Sequence, residues 1–279
     1  MASATQHNPS LLAVIDSGLG GLSVVRALRT HAPAQPAIYL ADTAAFPYGS
    51  RTAESIIARG IGLIAALQQA HPVGTVVLAC NTLSTLALEA LRAAYPALRF
   101  VGTVPAIKVA AAQSISRRFT LLATPNTAHS RYTQQLIAQF APDCVVDCYG
   151  APNLARMAEA QLRGARVDDA AWQAELSPCF HDDARGRTDQ IILGCTHYPL
   201  VQAELIRHAP WPVEWIDSSD AIARQALKSP LVEPVMPPLA YVTDAADIAS
   251  YAAVFAREGF ADTSTLSVPS DALLHTAHG

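Results

Sequence analysis

Two short apolar runs, Val76-Val77-Leu78-Ala79-Cys80-Asn81-Thr82 and Ile191-Ile192-Leu193-Gly194-Cys195-Thr196-His197, constrain this chain more than any other feature. Each is rich in β-branched or branched residues and stops abruptly at a cysteine, after which polar side chains follow. Each therefore reads as a buried strand that delivers chemistry at its tip. Open parallel α/β sheets bind ligands beyond the carboxyl ends of their strands, so Cys80 and Cys195 are placed to face one another across a shared cleft.

The remaining pattern supplies the frame. Leu11 to Ile15 is an apolar strand that ends in Asp16-Ser17-Gly18-Leu19-Gly20-Gly21, and Val24 to Thr30 follows as a helix. A glycine turn ahead of a helix start suits a phosphate or a carboxylate, because backbone N–H groups approach an anion there. The dinucleotide fingerprint fails at its third glycine, where Ser23 stands, and Asp16 would repel a pyrophosphate. Strand Ala37 to Leu40 leads into Ala41 to Ser50, which carries Asp42 and, with the loop that Pro47 and Gly49 force around Tyr48, reads as a cleft wall. A helix over 52–70, the first cysteine strand and a helix over 83–94 come next, with Thr82 expected as the helix cap. A thiol just ahead of a helix start has its thiolate favoured by unpaired N–H groups, which marks Cys80 as reactive.

After strand Phe100 to Val104, Pro105 marks a crossing, and the layout repeats. A helix over 106–116, strand Phe119 to Ala123, a loop at Thr124-Pro125-Asn126-Thr127 and a helix over 131–139 precede strand Cys144 to Cys148. Helices near 153–163 and 168–176 then lead to the second cysteine strand. Strand Val213 to Ile216, a helix over 219–227, a proline-rich linker over 229–238, a last strand at Leu239 to Val242 and a helix over 247–257 complete the pattern.

Composition narrows the function classes. With 279 residues, 51% of them hydrophobic and 15% charged, the chain can bury one large core or two modest ones, and the repeated layout favours two. A formal charge of −4 with scattered Lys and Arg offers no basic stripe for nucleic acid, so a small-molecule partner is expected. No apolar run reaches the roughly 18–20 residues of a membrane helix. Met1 to Ser10 lacks a signal peptide's apolar segment, so a cytoplasmic location is expected. Five cysteines, an odd number, argue against a disulfide framework. Cys144 and Cys148 have no second ligand pair at zinc spacing, and Cys80, Cys195 and His197 make a weak metal set, so no metal is expected.

With the two cysteine motifs, Asp16-Ser17-Gly18, Pro47-Tyr48-Gly49, Val104-Pro105-Ala106-Ile107-Lys108 and Asp217-Ser218 in view, the chain closely resembles the glutamate racemases of the aspartate/glutamate racemase family from about Leu11 to Gly259. The resemblance implies two pseudo-symmetric α/β lobes with mainly parallel open sheets and an active site between them. Residues 1–103 with 218–279 would form one lobe and 104–217 the other. It implies interconversion of L- and D-glutamate without a cofactor, supplying D-glutamate for peptidoglycan. Cys80 would deprotonate the D enantiomer and Cys195 the L enantiomer, with Asp16, His197 and Glu159 assisting. Ser17, Pro47, Tyr48, Gly49, Asn81, Thr82, Thr124 and Thr196 would hold the substrate, and Asp42 would line the cleft. A homodimer is compatible with the sequence, which does not fix the oligomeric state.

Proton removal from one face of an α-carbon and return to the other suits two thiols. A free thiol titrates near ~8.5, and bringing it to about 7 costs its surroundings roughly 2 kcal/mol. Two departures from the family pattern stand out: Leu83 follows Asn81-Thr82, where a small residue is usual, and Asn126 stands where glycine or alanine is common. Leu83 is expected in the core, since helix positions facing a sheet must be apolar. Three rival readings remain: a one-thiol lyase, a silent amino-acid-binding protein and an aspartate racemase.

Overall fold

The computed structural model describes residues 11–228 and 237–268. The polar stretch Met1 to Ser10 and most of the proline-rich linker lie outside the described residues. In chain order the first half carries β1 (Leu11–Asp16), α1 (Leu22–His31), β2 (Ala37–Ala41), α2 (Ala53–Ala70), β3 (Val73–Leu78), α3 (Asn81–Ala94) and β4 (Arg99–Gly102). The second carries α4 (Ile107–Gln113), β5 (Arg118–Ala123), α5 (Pro125–Ala128), α6 (Arg131–Phe140), β6 (Val145–Gly150), α7 (Leu154–Leu162) and α8 (Asp169–Leu176). It continues with a small hairpin of β7 (Asp182–Asp183) and β8 (Gly186–Arg187), then β9 (Gln190–Gly194), α9 (Gln202–His208) and β10 (Glu214–Ile216). The chain then adds α10 (Ser219–Ala226), β11 (Leu239–Val242), α11 (Ile248–Arg257) and β12 (Asp262–Thr265).

These elements form two parallel sheets, ordered β12-β11-β2-β1-β3-β4 and β10-β9-β5-β6, as the two-sheet α/β reading expects. Alternation along each strand splits every sheet into two apolar faces. Leu12 and Val14 of β1 join the core under α1, α10 and α11, whereas Leu11, Ala13 and Ile15 join the core under α2 and α3. In the second sheet Ile191, Leu193 and then Cys195 point to one face and Ile192 to the other. Each fully buried Val, Leu or Ile contributes about 1.5–3 kcal/mol, so strands buried on both faces must read as continuous apolar runs.

The order places the site. In the first sheet the chain reverses direction of travel between β1 and β3, and in the second between β5 and β9. A crevice forms at such switch points beyond the strand ends. Asp16 and Cys80 leave one crevice, and Thr124 and Cys195 leave the other. The C-terminal segment returns to the first sheet: β11 pairs with β2, and β12 pairs with β11.

Several local expectations are corrected. The strand at Leu239 to Val242 is not the last, because Asp262–Thr265 adds an edge strand. Its polar composition, Asp-Thr-Ser-Thr, carries no apolar signal, and its residues are half-exposed or exposed. The segment Thr124 to Thr127 is not a loop, since Pro125 starts a single helical turn with Thr124 ahead of it. Helix α3 begins earlier than its apolar spacing suggests, at Asn81 with Cys80 in the cap position, so Thr82 lies inside the first turn and caps nothing.

Candidate active site

A narrow cavity of about 20 Å³ separates the two strand-end crevices, with Cys80 and Cys195 both in its wall. It is room for about one water and much less than an amino acid needs. Ser17, Pro47, Tyr48, Gly49, Asn81, Thr82, Thr124, Thr196 and His197 line it with the thiols, together with Phe46 and Ala155. Among the described residues the three carboxylates proposed for the site, Asp16, Asp42 and Glu159, stand behind this wall, buried.

The Cys195 side is a chain of hydrogen bonds. Its Sγ lies 3.8 Å from His197 Nδ1, and His197 Nε2 lies 2.6 Å from Glu159 Oε2. Burial opposes the imidazolium, but contacts with Cys195 and Glu159 outweigh it and hold His197 well above its ordinary range. Burial likewise favours protonated Glu159, yet the His197 hydrogen bond, the Tyr251 hydroxyl and the Leu19 N–H bring it below the usual carboxylate range. The pair is thus an imidazolium and a carboxylate, desolvated together.

The Cys80 side is arranged differently. Cys80 Sγ lies 3.9 Å from Ser17 Oγ, which lies 3.5 Å from Asp16 Oδ1. Asp16 also accepts the Gly18 N–H at 3.0 Å and the Thr196 hydroxyl at 2.8 Å. Burial pushes the Asp16 carboxyl up. Burial first, and then the nearby Asp16 charge, push the Cys80 thiol far above its ordinary value, although the Leu83 N–H favours the thiolate. The helix start does favour the Cys80 thiolate, as expected, but in the closed cavity desolvation outweighs it.

The glycine turn binds an anion, but the anion is the protein's own. Leu19 N–H donates to Glu159 at 2.9 and 3.2 Å, while Gly18 N–H goes to Asp16. These N–H groups are therefore not free to receive a ligand's carboxylate. The glycines instead let the second lobe approach. A Cβ at Gly18 would stand 2.8 Å from the Glu159 carboxylate oxygens, and one at Gly20 would stand 2.5 Å from Thr196 Oγ1.

Asp42 does not line the cavity. Its carboxylate accepts the Tyr48 hydroxyl at 2.5 Å, the Arg59 guanidinium at 2.5–3.1 Å and the Thr243 hydroxyl at 2.7 Å, so it fixes Tyr48 from behind. Thr82 reaches across to the Thr124 hydroxyl at 2.9 Å. Buried Asn81 carries an amide Nδ2 with no protein partner among the described residues, a donor suited to an anionic ligand. Leu83 is fully buried in the core shared by α2 and α3, as expected, and is absent from the cavity wall.

Phe46, within the stretch expected as a cleft wall but not among the expected site residues, places its ring 5.6 Å from that of His197. Two further residues carry no local signal. Ala155 lines the wall from α7 and carries no chemistry to find. Tyr251, whose hydroxyl donates to Glu159, comes from the far end of the chain and had no motif around it.

Fold and site together define a class: two-lobed α/β proteins that present one thiol from each parallel sheet to a single closed cavity. The chain belongs to the Asp/Glu/Hydantoin racemase family, whose model matches residues 22–226. It is 45% identical over 227 residues to a glutamate racemase of Brucella anthropi, covering 81% of each chain. It is 48% identical over 213 residues to one of Agrobacterium fabrum, covering 76% of this chain and 78% of that relative. Its structure is similar to that of Escherichia coli glutamate racemase, solved with L-glutamate and the activator UDP-MurNAc-ala, with a TM-score of 0.87, 34% identity and coverage of 94% and 100%. A Bacillus anthracis glutamate racemase, 24% identical with a TM-score of 0.79, shares the fold. No helix among the described residues is long and apolar enough to cross a membrane.

Proposed function

We infer that this chain is an isomerase that racemises glutamate by moving protons between two cysteines, and that it supplies D-glutamate for peptidoglycan synthesis in the cytoplasm. The observation that carries this reading is that Cys80 and Cys195, from the strand ends of different sheets, line one cavity. Curated relatives at 45–48% identity named for that activity support it.

Residues 1–103 with 218–279 and residues 104–217 act as the two halves of a clamp, because a cavity of about 20 Å³ has to open to admit an amino acid. Cys80 takes the α-proton of D-glutamate, and Cys195 returns one to the opposite face; for L-glutamate the roles reverse. His197, held by Glu159, stabilises the Cys195 thiolate. The substrate's ammonium supplies the positive charge that the buried Cys80 lacks, and the Asp16 carboxylate, behind Ser17 and Thr196, stabilises that charge from beyond the cavity wall. Asn81, Thr82 and Thr124 donate to the carboxylates, Ser17 and Thr196, whose hydroxyls are held by Asp16, shape the substrate's place, and Tyr48, braced by Asp42, closes the wall. Two thiols suffice for the chemistry, so neither pyridoxal phosphate nor a metal takes part. The macromolecule works alone or as a homodimer, which sedimentation distinguishes.

The test is incubation of the purified chain with L-glutamate and with L-aspartate, each followed by circular dichroism without added cofactor and after dialysis against a chelator. Loss of the L-glutamate signal to zero ellipticity is expected. One methylene in a pocket is worth about 1–3 kcal/mol, so aspartate should turn over roughly 10- to 200-fold more slowly. Faster turnover of aspartate, or activity only after addition of a metal or pyridoxal phosphate, would overturn the reading.

A further inference from the structure

We propose that Tyr251 is a positioning residue for the Cys195 thiol, acting from the opposite lobe through the Glu159 carboxylate and the His197 imidazole. The kinetic part of this inference rests on the racemase reading above; the geometric part does not.

Tyr251 belongs to α11, which packs on the first sheet, and is 1% exposed. Glu159 belongs to α7, which packs on the second. The Tyr251 hydroxyl donates to Glu159 Oε1, while His197 Nε2 faces Oε2 at 2.6 Å. A donor on each oxygen, with the Leu19 N–H between them, fixes the plane of the carboxylate. A fixed carboxylate in turn fixes which way the imidazole presents Nδ1 to Cys195, 3.8 Å away. Tyr251 itself does not reach the cavity wall, so it touches neither thiol.

The phenol is held for this task. The Arg163 guanidinium lies 5.0 Å over its ring, and the Phe255 ring centroid is 6.0 Å away. Arg163 pairs with Asp247, 3.6 Å away at the start of α11. The other charged or titratable groups facing the Glu159 and His197 pair are Asp16 from β1, the Cys195 thiol, and Tyr39, whose hydroxyl donates to the Gly18 carbonyl at 2.7 Å. Among these, Tyr251 is the hydroxyl that donates directly to the carboxylate. A phenol donates without giving up its proton near neutral pH, so it supports an ionised carboxylate and, beyond it, an imidazolium. Because Leu19 and Tyr251 lie in one lobe and Glu159 and His197 in the other, the alignment is complete only when the lobes are together.

The test is Tyr251→Phe, which keeps the ring and deletes the donor. Alkylation of Cys195 by iodoacetamide is followed against pH by peptide mass spectrometry, a readout that needs no turnover. The pH midpoint should rise and the rate at pH 7 should fall about tenfold, the size expected for one hydrogen bond to a charged group. Glu159→Gln should shift the midpoint in the same direction, and adding Tyr251→Phe to it should shift it no further, as for residues acting in one chain. In turnover, kcat should fall about tenfold with KM changed less than about twofold, and the acid limb of the kcat profile should move to higher pH. An unshifted Cys195 midpoint in Tyr251→Phe, even with a lower unfolding midpoint, would make the role purely structural and overturn the proposal. So would additive shifts in the double variant. A shifted titration in a chain without racemase activity would sustain the positioning role and sink the functional reading instead.

Discussion

Gly20 in the first lobe lies so close to His197 in the second that a Cβ placed on it would fall 2.5 Å from the imidazole Nδ1. That nitrogen is the one facing Cys195, and the imidazole is pinned on its other side by Glu159. The glycine is therefore a condition for the imidazole's placement. Gly20→Ala should cost about 1–3 kcal/mol in unfolding free energy through overpacking. It should also lower kcat more than the lost stability alone explains, because the ring must leave Cys195 or the lobes must part. Unfolding in urea beside initial rates separates the two effects, and unchanged kinetics would show that the loop yields instead of the ring.

Leu83 faces the core between α2 and α3, and a Cβ at Gly60 would stand 3.4 Å from its Cδ1. Leu83→Ala should cost about 2–5 kcal/mol in unfolding free energy and leave substrate preference unchanged. A wider substrate range at unchanged stability would contradict the core assignment.

Asn126, the second departure from the family pattern, ties the lobes at the cavity's rim. Its Nδ2 donates to the Arg51 carbonyl at 3.0 Å and to the Tyr48 carbonyl at 3.3 Å. Deleting these bonds in Asn126→Ala should favour the open form by about 0.5–1.5 kcal/mol, or roughly 2- to 10-fold. Iodoacetamide should then label Cys195 faster in the free protein by a similar factor. Equal labelling rates would mean that the cavity opens elsewhere.

The Glu159 and His197 pair gives stability a pH window. Glu159 is depressed in the fold, so its contribution is present above its unfolded value of about 4.3 and is lost as pH falls through the lower folded value. His197 is raised, so its contribution is full below about 6.5 and is lost as pH rises through the higher folded value. Both terms are largest between about pH 5 and 6.5. Glu159→Gln should cost about 3 kcal/mol there, with the difference from the parent shrinking toward either extreme. Urea unfolding at steps from pH 3 to 9 would show it; a difference independent of pH would mean that the pair is not ionic.

The fold was legible wherever burial on both faces leaves a continuous apolar run. The strands at β1, β3, β5 and β9 announce themselves, and so do the thiols at their tips. What was not legible depends on contacts between distant segments. Nothing near Asp42 in sequence tells that Tyr48, Arg59 and Thr243 enclose its carboxylate and draw it away from the cavity. The glycine turn reads locally as an anion site, and it is one, but only the fold shows that Glu159 occupies it. Thr82 sits where a cap residue would stand, yet the helix starts two residues earlier, at Asn81, because Cys80 already has the extended backbone of a cap. β12 escaped because an exposed edge strand needs no apolar alternation.

In the proposed reaction Cys80 and Cys195 each serve one face of the α-carbon. Cys80→Ser and Cys195→Ser should each abolish racemisation, since a serine alkoxide is far too weakly populated to act as base. Proton exchange in heavy water, followed by nuclear magnetic resonance, then reads each remaining thiol separately. Cys195→Ser should wash deuterium into the α position of D-glutamate without inverting it and leave L-glutamate untouched. Cys80→Ser should do the reverse. If either variant exchanges both enantiomers, or racemises at close to the parent rate, the two thiols do not divide the faces and a single-base mechanism replaces this one.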